Sequence, residues 1–257
     1  MSAAALARNS STLLHGLWRW WLLLLAAVLA MQLFFTARIA LMAWVAPQST
    51  SFERSQMWQI VSRTGQLPWR QQWVDGSAMS SHLARAVIAS EDSAFAQHGG
   101  VWWEAVEKAW DLNSQARAKA QRRAQLRPDA PAPEAKIRGG STITQQLAKN
   151  LLLSGERSLW RKGQELLLTW MLEALLSKKR ILEIYLNSVE WGEGVFGAEA
   201  AARHYFRKPA SELTAWEAAR LAVMLPRPRA FEKLPQSAYL ADRAQTIMAR
   251  MNDVVLP

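Results

Sequence analysis

The sequence of 257 residues contains no cysteine, and only three tyrosines accompany its 14 tryptophans. The absence of cysteine excludes disulfide bonds, zinc–thiolate sites and a cysteine nucleophile, although it leaves the cellular compartment open. Twelve glycines and ten prolines are too few for a collagen-like or low-complexity chain, and no internal repeat is present. A hydrophobic fraction of 50% excludes a disordered chain and supplies enough apolar surface for a folded core.

Acidic residues are in the minority, since 31 lysines and arginines face 21 aspartates and glutamates and leave a formal charge of +10. Such a balance indicates a polyanionic partner, namely nucleic acid, phospholipid headgroups or a phosphorylated substrate. Nucleic acid would account for the charge, but for neither the apolar segment nor the carboxylates described below. We therefore expect no nucleic-acid partner.

One long hydrophobic run lies near the amino terminus. Residues 20–37 carry no charged side chain, and after Arg38 the sequence stays apolar up to the next proline. About 20 apolar residues span the hydrocarbon core of a bilayer, and tryptophans at both ends suit the membrane interface. The run predicts a transmembrane signal anchor over residues 20–45, preceded by a cytoplasmic tail over 1–19 and followed by one domain over 46–257.

Two other structures compete with a membrane anchor. A cleaved signal peptide has a shorter apolar region and a small-x-small cleavage site after it, which this run lacks. A helix that is apolar on every face also occurs in protein cores, but it is not expected so close to a terminus. The positive-inside rule barely decides the orientation, because Arg8 and Arg19 flank one end and Arg38 and Arg54 the other. We place the amino terminus in the cytoplasm because the chemistry below requires the opposite face.

Beyond this run the hydrophobic period is mostly helical, so the predicted fold class is mainly α. Helices are predicted over residues 81–89, 142–153, 165–176 and 214–225. Two of them begin with capping-box pairs, Thr142 with Gln145 and Thr214 with Glu217. Residues 114–136 have almost no large apolar side chain and run from basic residues into proline. A basic helix that ends in a solvated insertion is expected there, with contact to anionic lipid as the alternative.

Three polar clusters carry residue types that catalyse reactions. In the first, residues 91–100, Glu91 and Asp92 end a helix and Phe95 follows. A carboxyl group that an aromatic ring partly shields from water there would have a raised pKa and act as a general acid or base. Acidic pairs at helix ends are more often solvated surface, and this alternative stays open.

The second cluster, residues 138–150, combines two glycines with a serine–threonine cap, and a helix start of this kind favours an anion. Gln145, Gln146 and Lys149 follow on neighbouring turns. The spacing of a Walker loop is absent, and a plain capped helix explains the same residues. The third cluster places Glu165 among cations that would keep its carboxylate ionised, or it forms only a basic helix face.

These clusters follow one another as Glu-Asp-x-x-Phe-x-x-His-x-Gly, Gly-Gly-Ser-Thr-Ile-Thr-Gln-Gln-x-x-Lys-Asn, Arg-x-x-x-Arg-Lys-x-x-Glu and Lys-x-x-Ile-Leu-Glu-x-Tyr-Leu-Asn. In this order, and with residues 194–206 as a fifth motif, they closely resemble the peptidoglycan glycosyltransferases of glycosyltransferase family 51. The resemblance covers residues 81–231, and it departs from the family's pattern at Gly99 and in the length of the 114–136 stretch. It implies a lysozyme-like, mainly α domain of two lobes.

No Ser-x-x-Lys or Lys-Thr-Gly motif of a transpeptidase is present, so the resemblance is to the monofunctional members of the family. Such enzymes polymerise lipid II into β-1,4-linked glycan strands with inversion and release of undecaprenyl pyrophosphate. The resemblance makes Glu91 the general base and Glu165 a second carboxylate that orients the site or helps to bind Mg²⁺ or Mn²⁺. It assigns the binding of substrate and pyrophosphate to Ser141, Thr142, Gln145, Gln146, Lys149, Arg157 and Lys162.

The resemblance also implies a location and partners. The enzyme would be a single-pass protein of the bacterial inner membrane with its catalytic domain in the periplasm, acting in cell wall biogenesis and cell shape. Its expected partners are lipid II, the growing glycan strand, membrane lipid near Trp69 and Trp73, and other proteins of cell wall synthesis or division. The alternatives are a membrane-anchored, lysozyme-like enzyme that cleaves peptidoglycan and an inactive cell-wall scaffold.

Overall fold

The computed structural model describes the backbone of residues 3–126, 139–153 and 158–257, and within them the side chains from residue 16 onward except that of residue 159. The chain divides into two compact units, Met1–Val45 and Ala46–Pro257. The first unit is a single helix followed by a short turn. The second contains the remaining described helices and all described strands.

Helix α1 (Ala3–Leu41) forms nearly the whole first unit. Its segment Gly16–Leu41 has 26 residues and a mean hydropathy of 2.1, so it is long and apolar enough to cross a bilayer. Only 6% of its apolar window is buried, which argues against a buried core helix. The helix includes most of the tail predicted over 1–19, and it ends at Leu41 rather than at residue 45.

Helices make up most of the second unit and confirm the mainly α fold class. They are α2 (Ser51–Thr64), α3 (Ser81–Glu91), α4 (Trp103–Leu126), α5 (Ile143–Leu152), α6 (Leu159–Leu175), α7 (Lys178–Ser188), α8 (Ala198–Phe206), α9 (Ala215–Met224), α10 (Pro228–Phe231) and α11 (Ala238–Met251), with short 3-10 helices at Gly76–Ala78 and Ala210–Glu212. The strands are β1 (Arg70–Gln71), β2 (Glu190–Gly192) and β3 (Val195–Phe196). In their sheet, β3 is central, parallel to β1 and antiparallel to β2. Strands this short leave no alternating pattern, so the sequence does not predict them.

All four predicted helices are present, as α3, α5, α6 and α9. Helix α6 begins at Leu159 rather than at residue 165, because the Ser158 hydroxyl accepts a hydrogen bond from the backbone N–H of Arg161. Both predicted capping boxes form. At the start of α5, Thr142 Oγ1 accepts from the Gln145 backbone at 3.2 Å, and Gln145 Oε1 accepts from the Thr142 backbone at 3.0 Å. The start of α9 has the same reciprocal pair.

The stretch predicted as a solvated insertion begins within α4. This helix continues through the basic half of residues 114–136 and contains no buried residue. A helix without a buried face is what the charge pattern of this stretch predicts. Residues 127–138 lie outside the described part of the chain.

Helix α5 is the central element of the second unit, since it packs against α2, α6 and α7. Ile143, Leu147 and Leu151 recur every fourth position on one of its faces, and each is at most 1% exposed. Beside this group, α3 packs against α9 and α11, with Leu83 and Leu221 fully buried. Because one face of α5 is committed to the core, its polar residues are left to line a cavity.

The turn between β2 and β3 depends on a glycine. Gly194 has a φ of +73°, and a Cβ added there would lie 2.0 Å from the backbone carbonyl oxygen of Pro68. The carbonyl of the same glycine accepts a hydrogen bond from the backbone N–H of Arg70 at 2.8 Å. A side chain at this position would therefore push β1 away from β3.

We expect Gly194→Ala to lower the free energy of unfolding by roughly 1–3 kcal/mol, because alanine meets an unfavourable φ as well as a backbone clash. Thermal unfolding of the detergent-solubilised chain, followed by circular dichroism, measures the loss. Gly163→Ala is the matched control: it lies within α6, nothing lies within 4 Å of an added Cβ, and stability should hold or rise slightly. Equal unfolding midpoints for the two variants would contradict the prediction.

Candidate active site

One cavity of about 380 Å³ in the second unit collects most of the predicted site residues. It is lined by Phe52, Ser141, Gln145, Gln146, Lys149, Asn150, Leu153, Arg161, Lys162 and Glu165. Two further predicted residues adjoin this lining: Thr142 is the buried cap of α5, and Glu91 is hydrogen-bonded to Gln146. Arg157 lies outside the described residues.

Helical spacing accounts for the two polar walls of this cavity. Gln145 and Lys149 are four residues apart on α5, and Arg161 and Glu165 are four residues apart on α6, so each pair shares a helix face. Because α5 packs directly against α6, the two faces meet at the same cavity.

Glu91 is the last residue of α3, and α5 holds its carboxylate. The side-chain Nε2 of Gln146 donates to Glu91 Oε2 at 2.9 Å. Burial raises the pKa of Glu91, the bond from Gln146 lowers it, and the neighbouring Asp92 carboxylate raises it again, so that the pKa lies above its ordinary value. A carboxylate with a raised pKa is a stronger base than a solvated one. A raised pKa is what the sequence pattern around Phe95 predicts for this carboxyl group.

Glu165 has the opposite surroundings. Its Oε2 accepts a hydrogen bond from Arg161 Nη1 at 2.9 Å, and its Oε1 accepts one from Lys162 Nζ. The side chain is only 4% exposed. Since both oxygens are engaged, the geometry suits a group that holds cations in place rather than one that accepts a proton.

Among the described residues, the cationic side chains that line the cavity are Lys149, Arg161 and Lys162. Desolvation lowers the pKa of the Lys149 ammonium; Glu165 opposes this shift, whereas the other two cations reinforce it. Arg161 is not among the binding residues that the sequence predicts, and its Nε is buried with no hydrogen-bond partner among the described residues. Its position one turn before Glu165 is the sequence signal that points to it. A cavity with this charge suits an anion.

The carboxylate of Asp92 joins the loop after α3 to the start of α5. Its Oδ2 accepts a hydrogen bond from the backbone N–H of Ile143 at 3.0 Å, and its Oδ1 lies 2.8 Å from His98 Nε2. The side chain is 1% exposed. The helix dipole favours a carboxylate at a helix start, so Asp92 occupies the place where the sequence predicts a ligand anion. The start of α5 is therefore a capped helix, and the negative charge beside it is the Asp92 carboxylate of the protein itself.

Gly100 completes the same junction. The Thr142 hydroxyl donates to the carbonyl of Gly100, whose backbone N–H donates to His98 Nδ1 at 3.1 Å. With a φ of +90°, Gly100 has no room for a Cβ, which would lie 2.7 Å from a methyl carbon of Thr169. The neighbouring Gly99, where the sequence departs from the resemblance, has nothing within 4 Å of an added Cβ. The departure therefore does not disturb the junction.

The resemblance described above implies that Glu165 could help to bind a divalent cation, Mg²⁺ or Mn²⁺. Within the ranges that the structure describes, no group of three or more His, Asp or Glu side chains is placed to hold a metal ion. Both oxygens of Glu165 are already paired with Arg161 and Lys162. The residues present do not fit a protein-held Mg²⁺ or Mn²⁺, and a cation carried by the phosphates of a substrate stays a prediction.

Sequence comparisons connect this cavity to known proteins. A family model described as Transglycosylase matches residues 59–252. The biosynthetic peptidoglycan transglycosylase of Burkholderia orbicola (strain MC0-3) is 52% identical over 231 residues, which cover 90% of this chain and 87% of that protein. Proteins of the same name from Burkholderia multivorans (strain ATCC 17616 / 249) and Burkholderia thailandensis are 52% and 50% identical over 90% of the chain, covering 88% and 84% of their own lengths. The matched range contains Glu91 and both polar walls of the cavity.

We expect Asp92→Ala to lower the free energy of unfolding by about 2–3 kcal/mol, since it leaves the buried N–H of Ile143 and the His98 ring without an acceptor. Glu217→Ala is the matched control, because Glu217 also accepts a hydrogen bond at a helix start, from Thr214, but in an exposed place. Its loss should be about 1 kcal/mol or less. Thermal unfolding of both variants makes the comparison, and equal losses would show that the junction does not depend on Asp92.

Proposed function

Since the chain belongs to the transglycosylase family, we propose that its cavity binds the pyrophosphate of lipid II and that the enzyme polymerises this substrate into β-1,4-linked glycan strands. The enzyme is a peptidoglycan glycosyltransferase, a transferase of cell wall synthesis. The observation that supports lipid II as the substrate is the carboxylate of Glu91, which has a raised pKa and is bonded to the wall of a cavity that three cations line.

The reaction joins two lipid-linked sugars with inversion at C1 of the donor. Glu91 accepts the proton of the acceptor's 4-hydroxyl while that oxygen attacks C1, and undecaprenyl pyrophosphate departs from the opposite face. The raised pKa supports this role, because a more basic carboxylate takes the proton more readily. Gln146 engages Oε2 of Glu91, whereas among the described residues Oε1 has only a long contact of 3.5 Å with the Ser90 hydroxyl and is left for the substrate.

Lys149, Arg161 and Lys162 stabilise the pyrophosphate as negative charge develops on it. Among the described residues that line the cavity, they outnumber the one carboxylate, Glu165. Their ammonium and guanidinium groups are charged donors at the cavity wall. Such donors act strongly because they are already in place when the charge appears. Neutral donors for the remaining phosphate and sugar oxygens come from Ser141, Gln145 and Asn150.

Peptidoglycan cleavage and an inactive scaffold explain this cavity less well. A glycan strand carries no pyrophosphate, so a lysozyme-like hydrolase has no use for three cations beside its catalytic acid. A scaffold needs neither a carboxylate of raised pKa nor an unpaired buried donor, both of which are costly to keep.

Contact with the bilayer is assigned to a different surface from the one the sequence suggests. Trp69 stacks on Phe196 with 4.5 Å between the ring centres, and Trp73 lies beneath the guanidinium of Arg180. Both indoles therefore have partners within the protein. This makes them poor candidates for side chains that insert into lipid.

Three largely exposed tryptophans on α4 and α6, the aromatic surface, are the side chains that we assign to the membrane instead. Trp103 and Trp110, seven residues apart on α4, are 63% and 76% exposed, and Trp160 of α6 is 91% exposed. A groove of about 330 Å³ beside the two α4 tryptophans shares Ser141 and Lys162 with the active-site cavity. Exposed tryptophans favour the membrane interface, so this surface holds the cavity close to lipid-linked substrate.

The apolar segment of α1 fits a single-pass anchor of the bacterial cell envelope. We assign the second unit to the periplasmic side of the inner membrane, because glycan strands are polymerised on that side. A role in cell shape and contacts with other proteins of cell wall synthesis or division stay predictions.

The catalytic role of Glu91 is tested with purified lipid II and the detergent-solubilised full chain. The unaltered enzyme should produce glycan strands, and Glu91→Gln should be slower by at least about 100-fold, because glutamine accepts no proton. Glu212→Gln, at an exposed carboxylate outside the cavity lining, should retain the activity. Strand formation by Glu91→Gln at the unaltered rate would remove Glu91 from its role. No product from the folded, unaltered enzyme would favour the scaffold.

The membrane contact is tested with single cysteines, since the chain has none of its own. Trp110→Cys and Trp160→Cys, labelled with an environment-sensitive fluorophore and reconstituted in liposomes, should show blue-shifted emission because the label enters lipid. Tyr239→Cys is the control, as Tyr239 is 58% exposed on α11 but lies outside the aromatic surface. An equal shift at all three positions would contradict the assignment.

A further inference from the structure

A buried chain of hydrogen bonds ends at Glu91. The Tyr185 hydroxyl donates to Gln146 Oε1 at 3.0 Å, and Gln146 Nε2 donates to Glu91 Oε2 at 2.9 Å. We propose that Tyr185 is a positioning residue, which fixes the Gln146 amide with its NH₂ group toward Glu91 and so keeps the general base ionised. This inference rests on the proposed catalytic role of Glu91.

Tyr185 is well suited to act as a permanent donor. It lies on α7, and only 1% of the residue is exposed. Burial raises the pKa of its phenol well above the ordinary value, and the negative charges of Glu91 and Asp92 raise it further. The hydroxyl therefore keeps its proton at every pH at which the enzyme works, and the single O–H is directed at the Gln146 carbonyl oxygen.

The orientation of the amide decides which end of Gln146 faces the base. A glutamine amide has a donor end and an acceptor end, and a half-turn about its last bond exchanges them. With the oxygen toward Glu91, two oxygens would face each other, and only a protonated carboxyl could form a hydrogen bond there. The reversed amide would also deprive the buried Tyr185 hydroxyl of its acceptor, which opposes the reversal. Without the Tyr185 hydroxyl, the Gln146 amide reverses more easily.

Other titratable groups face Glu91 or its surroundings from neighbouring elements. Asp92, at the end of α3, raises the pKa of Glu91 and is itself paired with His98 of the following loop. Helix α5 contributes Lys149, whose charge interacts with Glu165 and the two α6 cations. None of these groups is bonded to the Gln146 amide, so a change confined to Tyr185 isolates the effect of its orientation.

The test is the pH dependence of kcat/KM for lipid II polymerisation by the full chain. Glu91 acts as a base only when ionised, so the rate rises with pH through its pKa, and a higher pKa moves this rising limb to higher pH. Tyr185→Phe should move the limb up by about one pH unit, with about tenfold lower activity below the limb and near-complete recovery above it. Tyr205→Phe is the matched control: Tyr205 donates to the backbone carbonyl of Trp191 at 2.8 Å, outside the cavity lining, and the limb should stay in place.

A Tyr185→Phe profile that is lower at every pH with an unmoved limb would indicate a structural role only and would overturn the proposal. In a Gln146→Leu background, Tyr185→Phe should shift the limb no further, because its effect passes through the amide. A full second shift would show another route and overturn it as well. If circular dichroism shows that Tyr185→Phe does not fold, Gln146→Leu decides instead, since it removes the bond to Glu91 through which Tyr185 acts: a limb moved to higher pH supports the proposal, and an unmoved limb refutes it.

The Glu91→Gln variant separates this proposal from the function on which it rests. Polymerisation by Glu91→Gln at the unaltered rate would remove the base, and the proposed positioning role with it. An inactive Glu91→Gln together with an unmoved limb in Tyr185→Phe would leave the base in its role and reject only the positioning by Tyr185.

Discussion

The site depends on the hydrogen bonds of one buried carboxylate, that of Asp92. It accepts a hydrogen bond from the first turn of α5 and pairs with His98, so it draws the end of α3 and the start of α5 to one point. Glu91 precedes it in the chain, and Gln146 lies one turn into α5, which is why these two side chains come within hydrogen-bond distance. A buried charge is tolerated only when its partners are in place, so the junction has little freedom to rearrange.

Two carboxylates acquire different chemistry from their surroundings at this site. Burial raises the pKa of Glu91 more than the hydrogen bond from the neutral Gln146 amide lowers it, and among the described residues its Oε1 has only a long contact with Ser90. Glu165 is buried between Arg161 and Lys162, and both of its oxygens are engaged. The first arrangement suits proton transfer, and the second holds two cations at the cavity, as the proposed departure of a pyrophosphate requires. The environment of each carboxyl group, rather than its type, separates the two roles.

The cationic cavity and the apolar groove are neighbours with common walls. Ser141, Gln145 and Lys162 line both, and the exposed tryptophans of α4 border the groove. A lipid-linked pyrophosphate has the same arrangement, with an apolar chain attached to a strongly charged group. This correspondence is the physical basis for the proposal that the site takes a lipid-linked substrate and that its cations bind the pyrophosphate.

The sequence alone determined four of the helices, two capping boxes, the apolar segment near the amino terminus and most of the cavity lining, because these depend on residues a few positions apart. The Thr142 cap and its partner Gln145 are one turn apart, and so are Lys149 and Gln145. Only the tertiary structure decided that Asp92 caps α5, that Arg161 lines the cavity and that Trp69 is stacked within the protein. Glu91 and Gln146 are 55 residues apart, and Gln146 and Tyr185 are 39 apart. Contacts over such distances are set by packing between helices, which leaves no local pattern in the chain.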